Sequence, residues 1–302
     1  METRSPFPAS PAAGVVSLVE ENDKFSLNNH DRYYTQGLRL AVSHENGFFA
    51  ALTQEINTPD DLVHADPPAS DLPYSAALYG SYGHGWAVTS EGWGESLFIW
   101  EVQLGVIGPA AGGATIQNSI HRLLGVPTAV GWQTQQPNEV AANLNLDFRR
   151  RFPLPGARPG LRDLVLRTGA QLGTLRTEFI LAGEFRWGRG MEQSWGHASI
   201  RQSPAFQAVG SLRSDLADPG VAAWFFAGAQ VEVVVRNYAT DGSNFRSTRG
   251  VPREPIVGQA GLGYHCRFHH YAATLYTSLR TRDFEGQKSL HGIGGVKLDY
   301  LF

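Results

Sequence analysis

Apolar and polar residues alternate through much of this 302-residue chain. Along 140–149, Val140, Ala142, Leu144, Leu146 and Phe148 share one side, and Asn143, Asn145, Asp147 and Arg149 share the other. The same period of two sets Ala229, Val231, Val233 and Val235 against Gln230, Glu232 and Arg236. It sets Trp100, Val102, Leu104 and Val106 against Glu101 and Gln103, and Leu38, Leu40 and Val42 against Arg39 and Ser43. At the end of the chain Val296, Leu298, Tyr300 and Phe302 oppose Lys297 and Asp299. Side chains on an extended backbone point to alternate faces, so each run predicts a strand with one apolar and one polar side. Twelve strands are predicted, near 12–22, 34–45, 47–57, 73–86, 94–108, 138–152, 161–173, 176–188, 221–238, 255–268, 270–283 and 289–302. Asn46-Gly47 reads as a hairpin turn, Pro153-Leu154-Pro155-Gly156 as a breaker, and His265, His269 and His270 surround a tight turn.

An even number of long strands predicts an all-β fold, a closed transmembrane antiparallel barrel of about 12 strands with its apolar side on lipid and its polar side inward. The competing arrangement is a soluble β-sandwich with its apolar faces packed together. The terminal Phe302, following alternating apolar positions, is a common ending of bacterial barrels and favours the first. Trp86, Trp93, Trp100, Trp187 and Trp224 are candidates for interfacial girdles. Up-and-down counting places the long 189–220 segment at the end of the barrel that usually carries short turns, which leaves the strand boundaries between 150 and 220 open. Residues 1–302 are expected to form a single barrel domain.

Composition narrows the classes. Charged residues are 18% of the chain, below the roughly 25% of soluble domains. The net charge of −3 gives no case for nucleic-acid binding. Cys266 is the only cysteine, so neither an intrachain disulfide nor a cysteine-rich metal site is available. No apolar run reaches the length of a spanning helix, which does not bear on strands of about 9–11 residues. The N-terminal METRSPFPASPAAG lacks the apolar core of an export signal, so an exported chain is expected to be a mature form.

Two places could carry chemistry. Glu20-Glu21-Asn22-Asp23 ends the first predicted strand, the polar run Asn28-Asn29-His30-Asp31 follows, and Tyr33-Tyr34-Thr35-Gln36-Gly37 opens the second. A hairpin sets these strand ends side by side, so Asn22, Asp23 and Thr35 can converge as oxygen ligands for a hard cation such as calcium. Without a cation the same residues make a solvated polar loop. The second place is the 109–137 connection, too long for a simple turn. Within it 114–124 predicts a short helix with an apolar stripe of Ile116, Ile120, Leu123 and Leu124 and a stop at Gly125 before Pro127. Gln117 and His121, four apart, share another face of it. A histidine there can serve as a general base near neutral pH, or be a surface residue without a role. No GxSxG, HExxH or Walker A pattern is present.

Taken together these stretches resemble the lipid A 3'-O-deacylases of Gram-negative outer membranes, the LpxR type. The matching segments are Glu21-Asn22-Asp23-Lys24-Phe25, Asp31-Arg32-Tyr33-Tyr34-Thr35-Gln36-Gly37-Leu38-Arg39-Leu40, Thr58-Pro59-Asp60-Asp61, Pro73-Tyr74 and Gly108-Pro109-Ala110. Gln117, His121, Gly131-Trp132, Asp241-Gly242-Ser243-Asn244-Phe245 and Phe284-Glu285-Gly286-Gln287 complete a series that spans nearly the whole chain. The resemblance implies a twelve-strand barrel in the bacterial outer membrane, with its site between the wall and the loop helix toward the outer leaflet. It implies that His121 activates water against the ester carbonyl, with Gln117 and Asn22 beside it. Asp23, Asn22 and Thr35 would hold Ca2+, which stabilises the oxyanion as in secreted phospholipases A2. Thr35, Arg32 and Tyr74 would contact the lipopolysaccharide substrate. The protein is expected to act as a monomer. Relatives often carry a basic residue before Pro-Tyr, where this chain has Leu72, so a phosphate contact falls to Arg32 or Arg39. Some relatives carry an acidic residue soon after the helix histidine, and 122–131 holds none. Two other functions fit a barrel: a passive channel or transporter, and a barrel phospholipase with a Ser-His pair.

Overall fold

The computed structural model describes residues 14–26, 32–90, 94–155, 161–191, 194–197, 199–207 and 222–302. The run Asn28–Asp31, Trp93 and Gly156 lie outside these. Twelve antiparallel strands close into one barrel in sequence order, β1 pairing β12. They are β1 (Gly14–Asn22), β2 (Tyr33–His44), β3 (Phe48–Thr58), β4 (Ser75–Ser90), β5 (Gly94–Ile107) and β6 (Glu139–Pro153), followed by β7 (Arg162–Gly173), β8 (Arg176–Arg189), β9 (Ala222–Asn237), β10 (Ile256–Phe268), β11 (Tyr271–Arg280) and β12 (His291–Leu301). The expected boundaries hold closely; β4 runs on to Ser90 and β11 stops at Arg280. One rim carries the long connections and is called the loop rim. The other carries short turns, including Asn46-Gly47, where Gly47 takes a φ of +92°, and His269-His270.

The two faces of the sheet are the reverse of a soluble core. Leu40, Leu52, Leu104, Val140, Phe179, Val233 and Leu298 project outward and are exposed. Glu55, Glu101, Asp147, Arg176, Arg186, Glu232 and Arg280 point inward and are buried. This pattern excludes the soluble sandwich: apolar surface of this extent has only lipid as a suitable medium. Buried charge is costly unless paired. Arg176 pairs with Glu55, Arg280 with Glu232 at 2.5 Å, and Arg186 with Asp163 at 2.5 Å, while both Arg149 and Arg167 meet Asp147.

The connection between β8 and β9 explains the counting difficulty. It does leave the turn rim, and then enters the lumen. Arg39 donates to the Ile200 carbonyl at 2.7 Å and to that of Ser203 at 3.1 Å. Gln171 donates to the Arg201 carbonyl, and Glu101 accepts the Ala205 N–H. Phe206 packs with Phe49 and Leu97. The connection's described residues 199–207 therefore lie across the lumen as a plug. Arg39 is accordingly an interior strut and not a contact for an external phosphate. Trp224 is corrected as well. It points inward and stacks on His265 at 3.9 Å, whereas Trp86 and Trp187 are exposed on the outer surface.

Candidate active site

The outward alternation of β1, β2 and β3 breaks near the loop rim. Leu18, Leu40 and Leu52 are apolar and exposed, but the outward positions nearer the rim include Glu20 and Asn22 on β1, Gln36 on β2 beyond Leu38, and Gln54 on β3. Cross-strand partners point to the same side, and the register pairs Asn22 with Gln36, Gln36 with Ile56, and Ile56 with Ala76. These residues form one continuous patch on the outside of the wall. Polar side chains on a lipid-facing wall are costly, so such a patch calls for a function.

The patch is covered in part by the 108–138 connection, which folds down over the exterior of the barrel. Gln54 Nε2 donates to the Ala111 carbonyl at 2.6 Å. Ile56, Tyr74, Ala76, Ala111, Ala129 and Trp132 form a buried cluster on this outer surface. Helix α1 (Gly113–Leu124) packs on β3 and β4 there. Its first residue sits so close that a Cβ at Gly113 would fall 2.5 Å from that of Ala76 and 2.8 Å from the Trp132 ring. The predicted helix is thus present, with Gly113, Gln117 and His121 as its buried positions, spaced four apart on one face.

A Schellman motif ends α1. Gly125 lies at φ +68°, its N–H donates to the Arg122 carbonyl, and the Val126 N–H donates to the His121 carbonyl at 2.9 Å. The reversal returns Pro127 to the helix, and the Pro127 carbonyl lies 2.7 Å from His121 Nδ1. A carbonyl only accepts, so Nδ1 carries the proton and the lone pair of the neutral ring sits on Nε2. Gln117 is fixed from its other end: Trp132 Nε1 donates to its Oε1 at 2.8 Å. Its Nε2 is buried and has no hydrogen-bond partner among the described residues. Tyr74 is fully buried against the Trp132 ring, 4.9 Å between centroids, one layer behind Gln117.

Asn22 and Asp23, at the end of β1, and Thr35, on β2, stand at the same rim; β1 is two strands along the wall from β3, about 10 Å at the usual spacing, and β2 is its direct neighbour. Asn22 caps a short 3-10 turn (Asp23–Phe25) by accepting the Lys24 N–H at 2.8 Å. Asp23 is buried, and its Oδ2 accepts the Arg32 N–H at 2.5 Å. Thr35 occupies a bulge between Tyr34 and Gln36, its hydroxyl 2.6 Å from that of Thr58. Tyr33 has the left-handed φ of +64°, a strained value held by edge contacts with Phe284 and His291. Among the described residues no three His, Cys, Asp or Glu side chains gather for a metal. The donors present are oxygens with a single buried carboxylate, a set that fits a hard cation and not zinc.

Arg32 turns away from this group. Its guanidinium meets Asp60 at 3.0 Å and Ser289 Oγ at 2.7 Å, and Lys288 reaches the same Asp60 at 2.7 Å. Burial would raise the Asp60 carboxyl, but the hydrogen bonds from Lys288 and Arg32 outweigh it and hold the group below its ordinary value. Sequence reasoning gave no role to Gln54 or to Glu20 and Gln36 as parts of an outer patch. The available signal was the polar residue at each outward position.

A sequence profile described as outer membrane protein LpxR matches residues 3–302. The chain belongs to the LpxR family. LpxR from Salmonella typhimurium superposes with a TM-score of 0.79 at 19% identity, over 95% of this chain and 100% of that one. The KdgM porin in complex with disordered oligogalacturonate gives a TM-score of 0.38 at 9% identity, over 95% and 99% of the two chains. The translocator domain of the autotransporter NalP from Neisseria meningitidis gives 0.38 at 12%, over 96% and 87%. No curated protein matches. The LpxR barrel shares the fold; the other two are too distant to inform. Family membership makes the chain an outer-membrane lipid A deacylase.

Proposed function

We propose that the chain removes the 3'-linked acyl group of lipid A by hydrolysis at the outer wall, with His121 as general base. The observation that carries this reading is the burial of the Gln117–His121 face of α1 against the barrel exterior, beside a polar patch that lipid alone would disfavour. His121 Nε2 takes a proton from water as the water oxygen bonds to the ester carbonyl carbon. The oxyanion collapses, the sugar oxygen leaves, and the imidazolium returns the proton to it. The products are a carboxylate and a free 3'-hydroxyl. The Pro127 carbonyl supports the imidazolium through Nδ1–H, and general-base assistance contributes typically about 10²–10⁴ in rate. Gln117 Nε2 supplies an N–H donor to the substrate carbonyl or to the water.

Asn22, Asp23 and Thr35 would hold a calcium ion, which as a Lewis acid supplies charge stabilisation to the developing oxyanion. Arg32 and Lys288, side by side on Asp60 at the same rim, are the basic groups that would meet a lipid A phosphate. Ser119 does not favour a serine mechanism: it is exposed on the far face of α1 and accepts from Arg122 at 3.2 Å. Residues 199–207, held across the lumen by Arg39, Gln171 and Glu101, do not favour an open channel.

Mass spectrometry of lipid A from cells expressing the wild type, His121→Ala and Asp23→Ala tests the reading. Wild type should remove one 3'-linked acyl unit, the variants should not, and a divalent chelator added to isolated membranes should stop turnover. Intact lipid A in membranes containing folded wild type, or full activity of His121→Ala, would overturn it.

A further inference from the structure

Helix α1 is amphipathic in the wrong sense for a helix in water. A helix on a soluble protein buries its apolar stripe and exposes its polar side. Here Gln117 and His121 face the wall, and the apolar stripe points away: Leu123 is 85% exposed and Leu124 68%, with Ile116 beside them. Val126 and Val130, in the connection that follows, are exposed as well. The helix lies on the outer surface of β3 and β4, and on these strands and β5 the outward residues toward the barrel middle are Leu52, Tyr82 and Leu104, all exposed. Ala76, which touches α1, is four register positions from Gly80, the partner of both Leu52 and Leu104. That is about 13 Å along the strand, within an apolar band about 25 Å tall. The apolar face of α1 therefore continues the surface that meets lipid. Arg122, on the same exposed side, has the reach to place its guanidinium at the headgroups.

We infer that Ile116, Leu123, Leu124 and Val126 lie among the acyl chains of the leaflet at the loop rim, so that α1 is a membrane-embedded lid over the outer wall. Resting on the function proposed above, this embedding lets an ester-bearing lipid enter sideways from the leaflet, with its reacting carbonyl remaining at the depth of the acyl chains.

The test needs no turnover, so its failure is separable from failure of the enzymatic reading. In a Cys266→Ser background, single cysteines are placed by Leu123→Cys, by Leu104→Cys as a belt control and by Asn46→Cys in a turn. Each carries an environment-sensitive fluorophore and is reconstituted in phosphatidylcholine vesicles, folding being checked by heat-modifiable gel mobility. The Leu123 label should match the blue-shifted emission of the Leu104 label, and brominated acyl chains should quench it several-fold more than aqueous iodide. The Asn46 label should show the reverse. A Leu123 label that behaves like the Asn46 label overturns the inference. So does one shielded from both quenchers with self-quenching between labels, which would mean a second copy covers the face. Val126→Cys serves if Leu123→Cys does not fold.

Discussion

Replacing Gly125 by alanine isolates the link between the helix cap and the base. The glycine sits at φ +68°, and a Cβ built on it meets nothing within 4 Å, so no steric clash complicates the change. What remains is the cost of the left-handed conformation for a residue with a Cβ, about 1–2 kcal/mol. The connection can avoid that cost only by leaving the Schellman geometry. Leaving it carries the Pro127 carbonyl away from the His121 ring and frees Nδ1 to exchange its proton with Nε2. Where the cost falls wholly on the anchored state, turnover drops by about 5- to 30-fold. Asparagine tolerates the left-handed region better and should recover part of the loss. The assay is the initial rate of fatty-acid release from lipid A in mixed micelles, with the thermal midpoint measured alongside. The midpoint should hardly move, because the cap lies outside the barrel. Wild-type rates for Gly125→Ala, or an asparagine variant slower than the alanine one, would refute the coupling of cap to base.

Trp132→Phe keeps an aromatic side chain but loses part of the indole and the N–H that holds Gln117 Oε1, leaving a buried acceptor unpaired at about 1–3 kcal/mol; lipid A turnover should fall about tenfold or more, with the barrel still folded by gel mobility. Asp283, in the β11–β12 connection, is pushed upward by burial but more strongly downward by Arg280 and Arg201, to about 2. A depressed folded value means its stabilisation is complete above the unfolded value near 4 and is lost as pH falls through about 2. Asp283→Asn should therefore lower the thermal midpoint at pH 6, with the gap from wild type shrinking between pH 4 and 2; a gap independent of pH would contradict this. Arg39→Met removes two charge-assisted bonds to the plug, at Ile200 and Ser203. Planar bilayers should then show conductance steps that wild type lacks, while lipid A turnover is kept; silent bilayers would mean the remaining contacts suffice.

Much of this architecture was written locally. The period of two marked runs on β2, β5, β6, β9 and β12, because each wall residue faces either lipid or lumen and the two demand opposite polarity. The helix was visible through Ile116, Ile120, Leu123 and Leu124, and Gly125 with Pro127 marked its end. Its orientation was not visible, because an apolar stripe reads the same whether it packs on protein or rests in lipid. The plug was hidden for a related reason. Ile200, Arg201, Gln202 and Ser203 are held largely through backbone groups, and those carry no sequence signature. Arg39 and Trp224 were misassigned because tertiary context decides what an inward residue near a rim will meet.

Strand β3 is read from both sides at once. Thr53 and Glu55 belong to the lumen, where Glu55 joins Arg176 and Tyr79, while Gln54 and Ile56 between them belong to the covered outer wall. A substitution there disturbs one environment and leaves the other intact. Insertion or deletion of a single residue would exchange the two sets, pushing a carboxylate toward lipid and an isoleucine into an ionic interior in one step. This segment should therefore vary in composition far more readily than in length.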